Sequence, residues 1–280
     1  MKGQASAPAS SGNLGPGFDV LALALDLMCH VTAEPADGWR ITQEGRSYEP
    51  QPDDFVRMAV GSMTEGNFHL EIDSGIPRGR GLGSSSAVAV ASGAAALRSV
   101  GTEPTSRFLF ELAAAAEGHP DNAAAAVYGG LVAVGGGVVR HLEVHPNLRI
   151  IVGVPDSRLS TAEARSVLSP GVDRRAAARS LARVVFLVDG LRTADPVALG
   201  VAGGDELHEE PRHDLSPVTA RLMNAARGAG ALHAAWSGAG PSAIAFASTP
   251  ACDDVEAAMS EALDGAGKVM CLDVAAEGWR

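Results

Sequence analysis

The chain has 280 residues, of which 46% are hydrophobic, and a formal charge of −11; this composition supports a large core and lacks the clustered cations of a nucleic-acid surface. Three cysteines, Cys29, Cys252 and Cys271, are too few and too scattered for a disulfide framework or a C-x-x-C metal site, which predicts a reducing compartment. With no basic start and apolar run of a signal peptide, and no charge-free apolar stretch of about 18 residues, the expectation is a cytoplasmic protein acting on small molecules, without nucleic-acid or membrane partners.

Residues 17–33, 39–43 and 68–72 read as early strands, closed by turn chemistry at Ser74-Gly75-Ile76-Pro77. Three helices follow at 84–100, 105–116 and 120–128, the last opened by Pro120 and ended by Gly129-Gly130. A hairpin is predicted from 131–134 and 138–144 across Gly135-Gly136-Gly137, and a new strand at 148–154. Beyond a soft boundary near residue 145, helical patterns at 160–168, 173–191, 216–228 and 251–264 alternate with strands at 231–236, 242–248 and 268–274. The expectation is an α+β protein in two halves, packed around a cleft.

Four segments carry chemistry. Pro77, Arg78, Gly79, Arg80, Gly81, Leu82, Gly83, Ser84, Ser85 and Ser86 form a glycine-rich run into an alanine-rich helix, an arrangement suited to phosphate because free amides and the helix dipole face the anion. The only lysines are Lys2 and Lys268, which excludes a G-x-x-x-x-G-K-[ST] loop here and the strand lysine of protein kinases. The serines suit capping of the helix amides, and one suits a magnesium ion. Glu117-Gly118-His119-Pro120-Asp121-Asn122 crowds four polar groups into one turn, which reads either as a capped turn or as a site for Mg²⁺ or substrate. The run from Ala7 to Asp19 reads alone as a loop, and Trp236 to Ser242 as a plain hairpin turn or a backbone brought close to phosphate.

In this order the four segments resemble the GHMP kinase superfamily, named for galactokinase, homoserine kinase, mevalonate kinase and phosphomevalonate kinase. Pro77–Ser86 matches its phosphate motif and Ser237–Ser242 its third motif. The homoserine kinase branch is most similar: its S-A-N-L-G-P-G-F-D is nearly reproduced at 11–19, and its E-G-H-P-D-N stands at 117–122. The resemblance implies an N-terminal α+β domain (1–144) carrying the lysine-free loop and a C-terminal ferredoxin-like α+β domain (145–280). It also implies ATP in the Pro77–Ser86 loop, and Mg²⁺ held by Ser85 and Glu117, with Glu111 as the alternative glutamate. The acceptor implied is L-homoserine, its carboxylate on Arg165 and Arg212, its ammonium on Asp19, and its hydroxyl or amino group on Asn13 and Asn122. Planar guanidinium forks suit a carboxylate.

Asn122, Ser85 and Glu117 are the implied catalytic residues. Asparagine accepts no proton, so attack by the side-chain hydroxyl is expected with late proton loss, rate coming from positioning and charge stabilisation. Two other readings stand beside this one: a sister kinase for threonine, pantoate or mevalonate, and a non-catalytic ligand sensor of the same fold. The sequence departs from the family at Asp53-Asp54-Phe55-Val56, where an adenine-contacting asparagine is usual, and at Gly12, where alanine is usual. On assembly the sequence is silent beyond the general frequency of homodimers.

Overall fold

The computed structural model describes residues 1–280. Strands β1 (Gly3–Gly12), β2 (Leu21–Ala36), β3 (Arg40–Gln43) and β4 (Arg46–Tyr48) precede helix α1 (Phe55–Met63) and strand β5 (Asn67–Ser74). Helices α2 (Ser84–Ser99), α3 (Ser106–Glu117) and α4 (Asp121–Tyr128) follow, then the hairpin β6 (Leu131–Gly135) and β7 (Val138–Leu142). The hairpin forms as expected: Gly135 pairs with Val138, and Gly136 and Gly137 both take positive φ, the turn geometry that joins two-residue hairpins. These strands make one seven-stranded sheet in the order β4-β3-β5-β2-β6-β7, with β1 paired to β2. The long β2 is its centre, and α2 and α4 pack against β1 and β2.

Strand β8 (Leu148–Pro155) begins the second sheet. Helices α5 (Thr161–Ser166), α6 (Arg174–Thr193), α7 (Pro196–Val201), α8 (Glu209–Arg212) and α9 (Pro217–Gly228) lead to β9 (His233–Trp236), β10 (Ala243–Ser248), α10 (Cys252–Leu263) and β11 (Gly267–Leu272). The order β11-β8-β10-β9, all antiparallel, gives the ferredoxin-like arrangement.

Alternation along β8 and β10 explains how this sheet joins the rest. Ile150, Val152, Val154, Ile244 and Phe246 point into a core that also contains Leu23, Leu70 and Leu131 of the first sheet, whereas Ile151, Ala243 and Ala245 face a second, smaller core with α9 and α10. One hydrophobic core therefore runs across residue 145. Residues 273–280 also return to the N-terminal sheet: Ser6 and Arg280 exchange two backbone hydrogen bonds, and Trp279 donates to Ser106 Oγ (3.1 Å) beneath Arg98.

The cysteines, scattered in sequence, are not all apart in space. Cys252 and Cys271 bring their unbonded sulfurs to 3.7 Å, while Cys29 is buried elsewhere. No helix is long and apolar enough to cross a membrane.

Candidate active site

Loops from both halves meet around a cleft of about 350 Å³. The glycine loop lines it, and Gly79, Gly81 and Gly83 all adopt positive φ, a conformation that costs glycine little and other residues much. Gly83 is the N-cap of α2 and offers no side chain, and none of the three serines caps the helix. Helices α1, α3, α5 and α6 are each capped by a side chain, so the serine capping expected here is corrected: the first-turn amides of α2 stay open toward the cleft lined by Ser84 and Ser85. Free amides and a positive dipole end make an anion site without a lysine.

Three loop residues expected at ATP lie off the cleft lining: Pro77, Arg80 and Ser86. Arg80 turns its guanidinium to the carbonyls of Pro155 (2.7 Å) and Asp156 (2.8 Å), fastening the loop to the C-terminal half. Ser237 fastens it from another side, donating to the Gly81 carbonyl (2.7 Å). A Cβ on Gly81 would overlap the Ser237 carbonyl oxygen and crowd Gly240 N at 2.8 Å. Gly81→Ala is accordingly expected to lower stability by about 1–3 kcal/mol and to raise the KM for ATP about tenfold, more than the KM for the acceptor; thermal melts and steady-state kinetics check both.

Asp54 belongs to the Asp53–Val56 segment in which an adenine-contacting asparagine is expected. Its carboxylate instead caps α1, accepting from Val56 N (2.9 Å) and Arg57 N (3.2 Å), while the residue still lines the cleft.

The wall of the cleft is the Glu117–Asn122 turn between α3 and α4. Ser86, rather than Ser85, donates to Glu117 Oε2 (2.6 Å) and fixes that carboxylate, whose side chain is 5% exposed. Ser85 is exposed and lines the cleft beside Glu117. Glu111 is corrected: it lies outside the cleft lining, exposed and paired with Arg107 (2.8 Å) on the surface of α3. Asn122 accepts from Ser10 Oγ (2.9 Å), leaving its Nδ2 for the cleft.

His119 and Asp121, read in the sequence as part of the polar turn but given no role of their own, complete this wall. His119 Nδ1 lies 3.0 Å from Asp121 Oδ1, and the hydrogen bond to that buried carboxylate raises the imidazole pKa, favouring a cation where a lysine is missing. Gly12 is the reason Asp121 fits, since a Cβ there would stand 2.6 Å from its Oδ2.

The same cleft collects charged groups from both halves of the chain. Arg165 grips Asp19 with two hydrogen bonds (2.6 and 3.1 Å), both side chains about one-third exposed. Arg212 is 1% exposed yet lines the cleft, donating from Nε to the Ala164 carbonyl (3.0 Å) and from Nη1 to Gly238 O (3.3 Å) and His208 Nδ1 (2.9 Å). Burial lowers the Arg212 pKa to about 10, which leaves it charged at neutral pH. Both guanidinium groups lie over Phe18, at 5.4 and 5.6 Å from its ring centre.

Asn13 differs from expectation. Its carboxamide donates to Gly238 O (2.9 Å) and accepts from Asp19 N (3.0 Å), so it braces the Asp19 loop and is largely spent before any substrate arrives.

With this geometry established, comparison with known proteins places the chain. Its residues 54–130 match the family described as GHMP kinases N terminal domain, and residues 187–265 match GHMP kinases C terminal. A homoserine kinase of Desulfitobacterium hafniense is 33% identical, covering 97% of both chains. The chain belongs to the homoserine kinase family of GHMP kinases. A homoserine kinase of Mycobacterium sp. (strain KMS) is 38% identical over 88% of this chain and 85% of its own length. The crystal structure of homoserine kinase from Cytophaga hutchinsonii superposes with a TM-score of 0.87 at 29% identity, covering all of this chain and 96% of that one. A mevalonate kinase structure at 14% identity shares the fold, with a TM-score of 0.73 over 98% of this chain and 99% of that one.

Buried titratable groups behind the kinase site set its response to pH. Burial pushes His208 and His233 down to about 4, and pushes the Glu209 carboxyl up to about 7. Between about pH 4.5 and 5.5 the unfolded chain therefore binds both histidine protons that the folded chain lacks, while the folded chain holds most of one Glu209 proton that the unfolded chain lacks. The net uptake on unfolding is about one proton, so stability is expected to rise with pH at about 1.4 kcal/mol per unit across that window and to level off as the pH nears the unfolded histidine value. Denaturant titrations from about pH 4.5 to 6.5 check the slope and its loss.

Proposed function

We propose that this kinase transfers the γ-phosphoryl group of ATP to the side-chain hydroxyl of L-homoserine, forming O-phospho-L-homoserine and ADP. The observation that carries the reading is that one cleft gathers an uncapped helix N-terminus, the charged groups Asp19, Arg165 and Arg212, and the Asn122 amide. A zwitterion with a terminal hydroxyl matches that set, its carboxylate on the arginines and its ammonium on Asp19. In the free protein Asp19 and Arg165 neutralise one another. The acceptor replaces each partner by its own opposite charge, so binding exchanges ion pairs without stranding a charge.

The acceptor oxygen forms a bond to the γ-phosphorus as the bond to the β,γ-bridging oxygen breaks, and ADP leaves. Asn122 Nδ2 holds the hydroxyl, with its Oδ1 occupied by Ser10, and the hydroxyl proton leaves late to a phosphoryl oxygen. The open amides of α2 receive the triphosphate. The hard oxygens of Ser85 and Glu117 suit Mg²⁺, which when bound offsets triphosphate charge.

The test is ADP release with Mg-ATP over homoserine, threonine, mevalonate, pantoate and shikimate, with phosphorus NMR of the product. Homoserine is expected to turn over fastest and to give a phosphate monoester. Turnover of another acceptor with none of homoserine would overturn the assignment, and ligand-induced thermal stabilisation without any ADP would favour a sensor.

A further inference from the structure

Arg212 and the Asp19 loop meet at one buried imidazole. We propose that His208 is a positioning residue that aims the Arg212 guanidinium at the acceptor's carboxylate, acting as a neutral ring with its proton on Nε2; the proposal rests on the homoserine kinase reading above.

The tautomer follows from the two neighbours. A guanidinium only donates, so Nδ1 of His208, 2.9 Å from Arg212 Nη1, must present its lone pair. A carbonyl only accepts, so Nε2, 2.7 Å from Gly15 O, must carry the proton. The ring is fully buried and stacks on Phe18 at 5.1 Å and 20°, the same ring that lies beneath both arginines. Asp205 accepts from the His208 backbone N–H (2.7 Å) and fixes the start of α8.

These contacts give the guanidinium one orientation. Nε is held by Ala164 O, and Nη1 by His208 and Gly238 O, so Nη2 is the nitrogen without a protein partner in a residue that lines the cleft. Gly15 lies in the turn between Asn13 and Asp19, and its carbonyl serves to hold the ring's proton on Nε2, so that the lone pair of Nδ1 faces Arg212.

Two variants separate this role from simple packing. His208→Asn keeps an acceptor near Nδ1 and gives up Gly15, whereas His208→Gln keeps a donor toward Gly15 and gives up the acceptor for Arg212. His208→Gln is expected to raise the homoserine KM about 10- to 30-fold, with kcat within about threefold and the ATP KM within about twofold, whereas His208→Asn stays within about threefold of wild type in all three. On 2-amino-1,4-butanediol, which lacks the carboxylate, His208→Gln and wild type should perform alike.

An unchanged homoserine KM in His208→Gln, equal losses in both variants, or an equal rise in the ATP KM would overturn the proposal. Wild type idle on homoserine would defeat the functional reading first, and is seen before any variant is compared. Should the variants not fold, the histidine ring ¹⁵N spectrum of the intact enzyme decides: an unprotonated Nδ1 signal that moves with homoserine but not with ATP supports the role, and a protonated Nδ1 ends it.

Discussion

Glu117→Gln is expected to lower kcat about 10²- to 10³-fold with little change in thermal stability. The glutamine retains an oxygen for the Ser86 hydroxyl that now donates to Glu117 Oε2, so the local packing survives. What goes is a negative charge at the wall of the cleft that the exposed Ser85 also lines. The Mg²⁺ concentration for half-maximal activity should rise in parallel. Glu111→Gln is the control, because Glu111 sits in a surface pair with Arg107 and pairs of that kind contribute about 0–1 kcal/mol. Activity following Glu111 and indifferent to Glu117 would overturn the assignment of the wall.

The second large effect is expected from Arg212→Lys, with kcat/KM for homoserine falling about 10²-fold and the ATP KM nearly constant. Lysine keeps the charge but cannot serve Ala164 O, His208 Nδ1 and Gly238 O while also reaching a carboxylate. Arg165→Lys is expected to cost less, about tenfold, since Arg165 is one-third exposed and already shares its charge with Asp19. Kinetics on both variants test the order. A larger loss at Arg165 would mean that the partly exposed arginine, and not the buried one, dominates carboxylate binding.

Much of this site was legible in sequence because its motifs are local. A glycine loop before an alanine-rich helix, and four polar residues in one turn, bring their groups together through backbone neighbours alone. Partnerships across the chain were hidden. Nothing in Ser84-Ser85-Ser86 says which hydroxyl turns to Glu117, because that depends on how α2 and α3 face each other. Asn13 looked like a substrate ligand, yet its partner Gly238 lies 225 positions away.

The fold shows the same division. The run from Ala7 to Asp19 reads alone as a loop because small and polar residues replace the usual alternation, whereas its first part belongs to β1, which pairs with β2, packs against α2 and α4, and is buried almost throughout, so that small side chains fit there. The short α8 carries no apolar period, and its four residues are ordered by Asp205, by Glu209 accepting from Trp236 N, and by Arg212. Gly12 looked like a mild change from alanine; its reason is Asp121, visible only once β1 and α4 are adjacent.

The pairing of Ser6 with Arg280 has a consequence for the order in which the fold closes. Its two partners are far apart in sequence, so it is among the least local contacts of the N-terminal sheet and is expected to form late in folding. Until it forms, that stretch of β1 keeps an unpaired strand edge, the kind of surface that recruits other chains. Trp279, seated between Arg98 and Ser106, holds the same segment and acts as a latch on that edge.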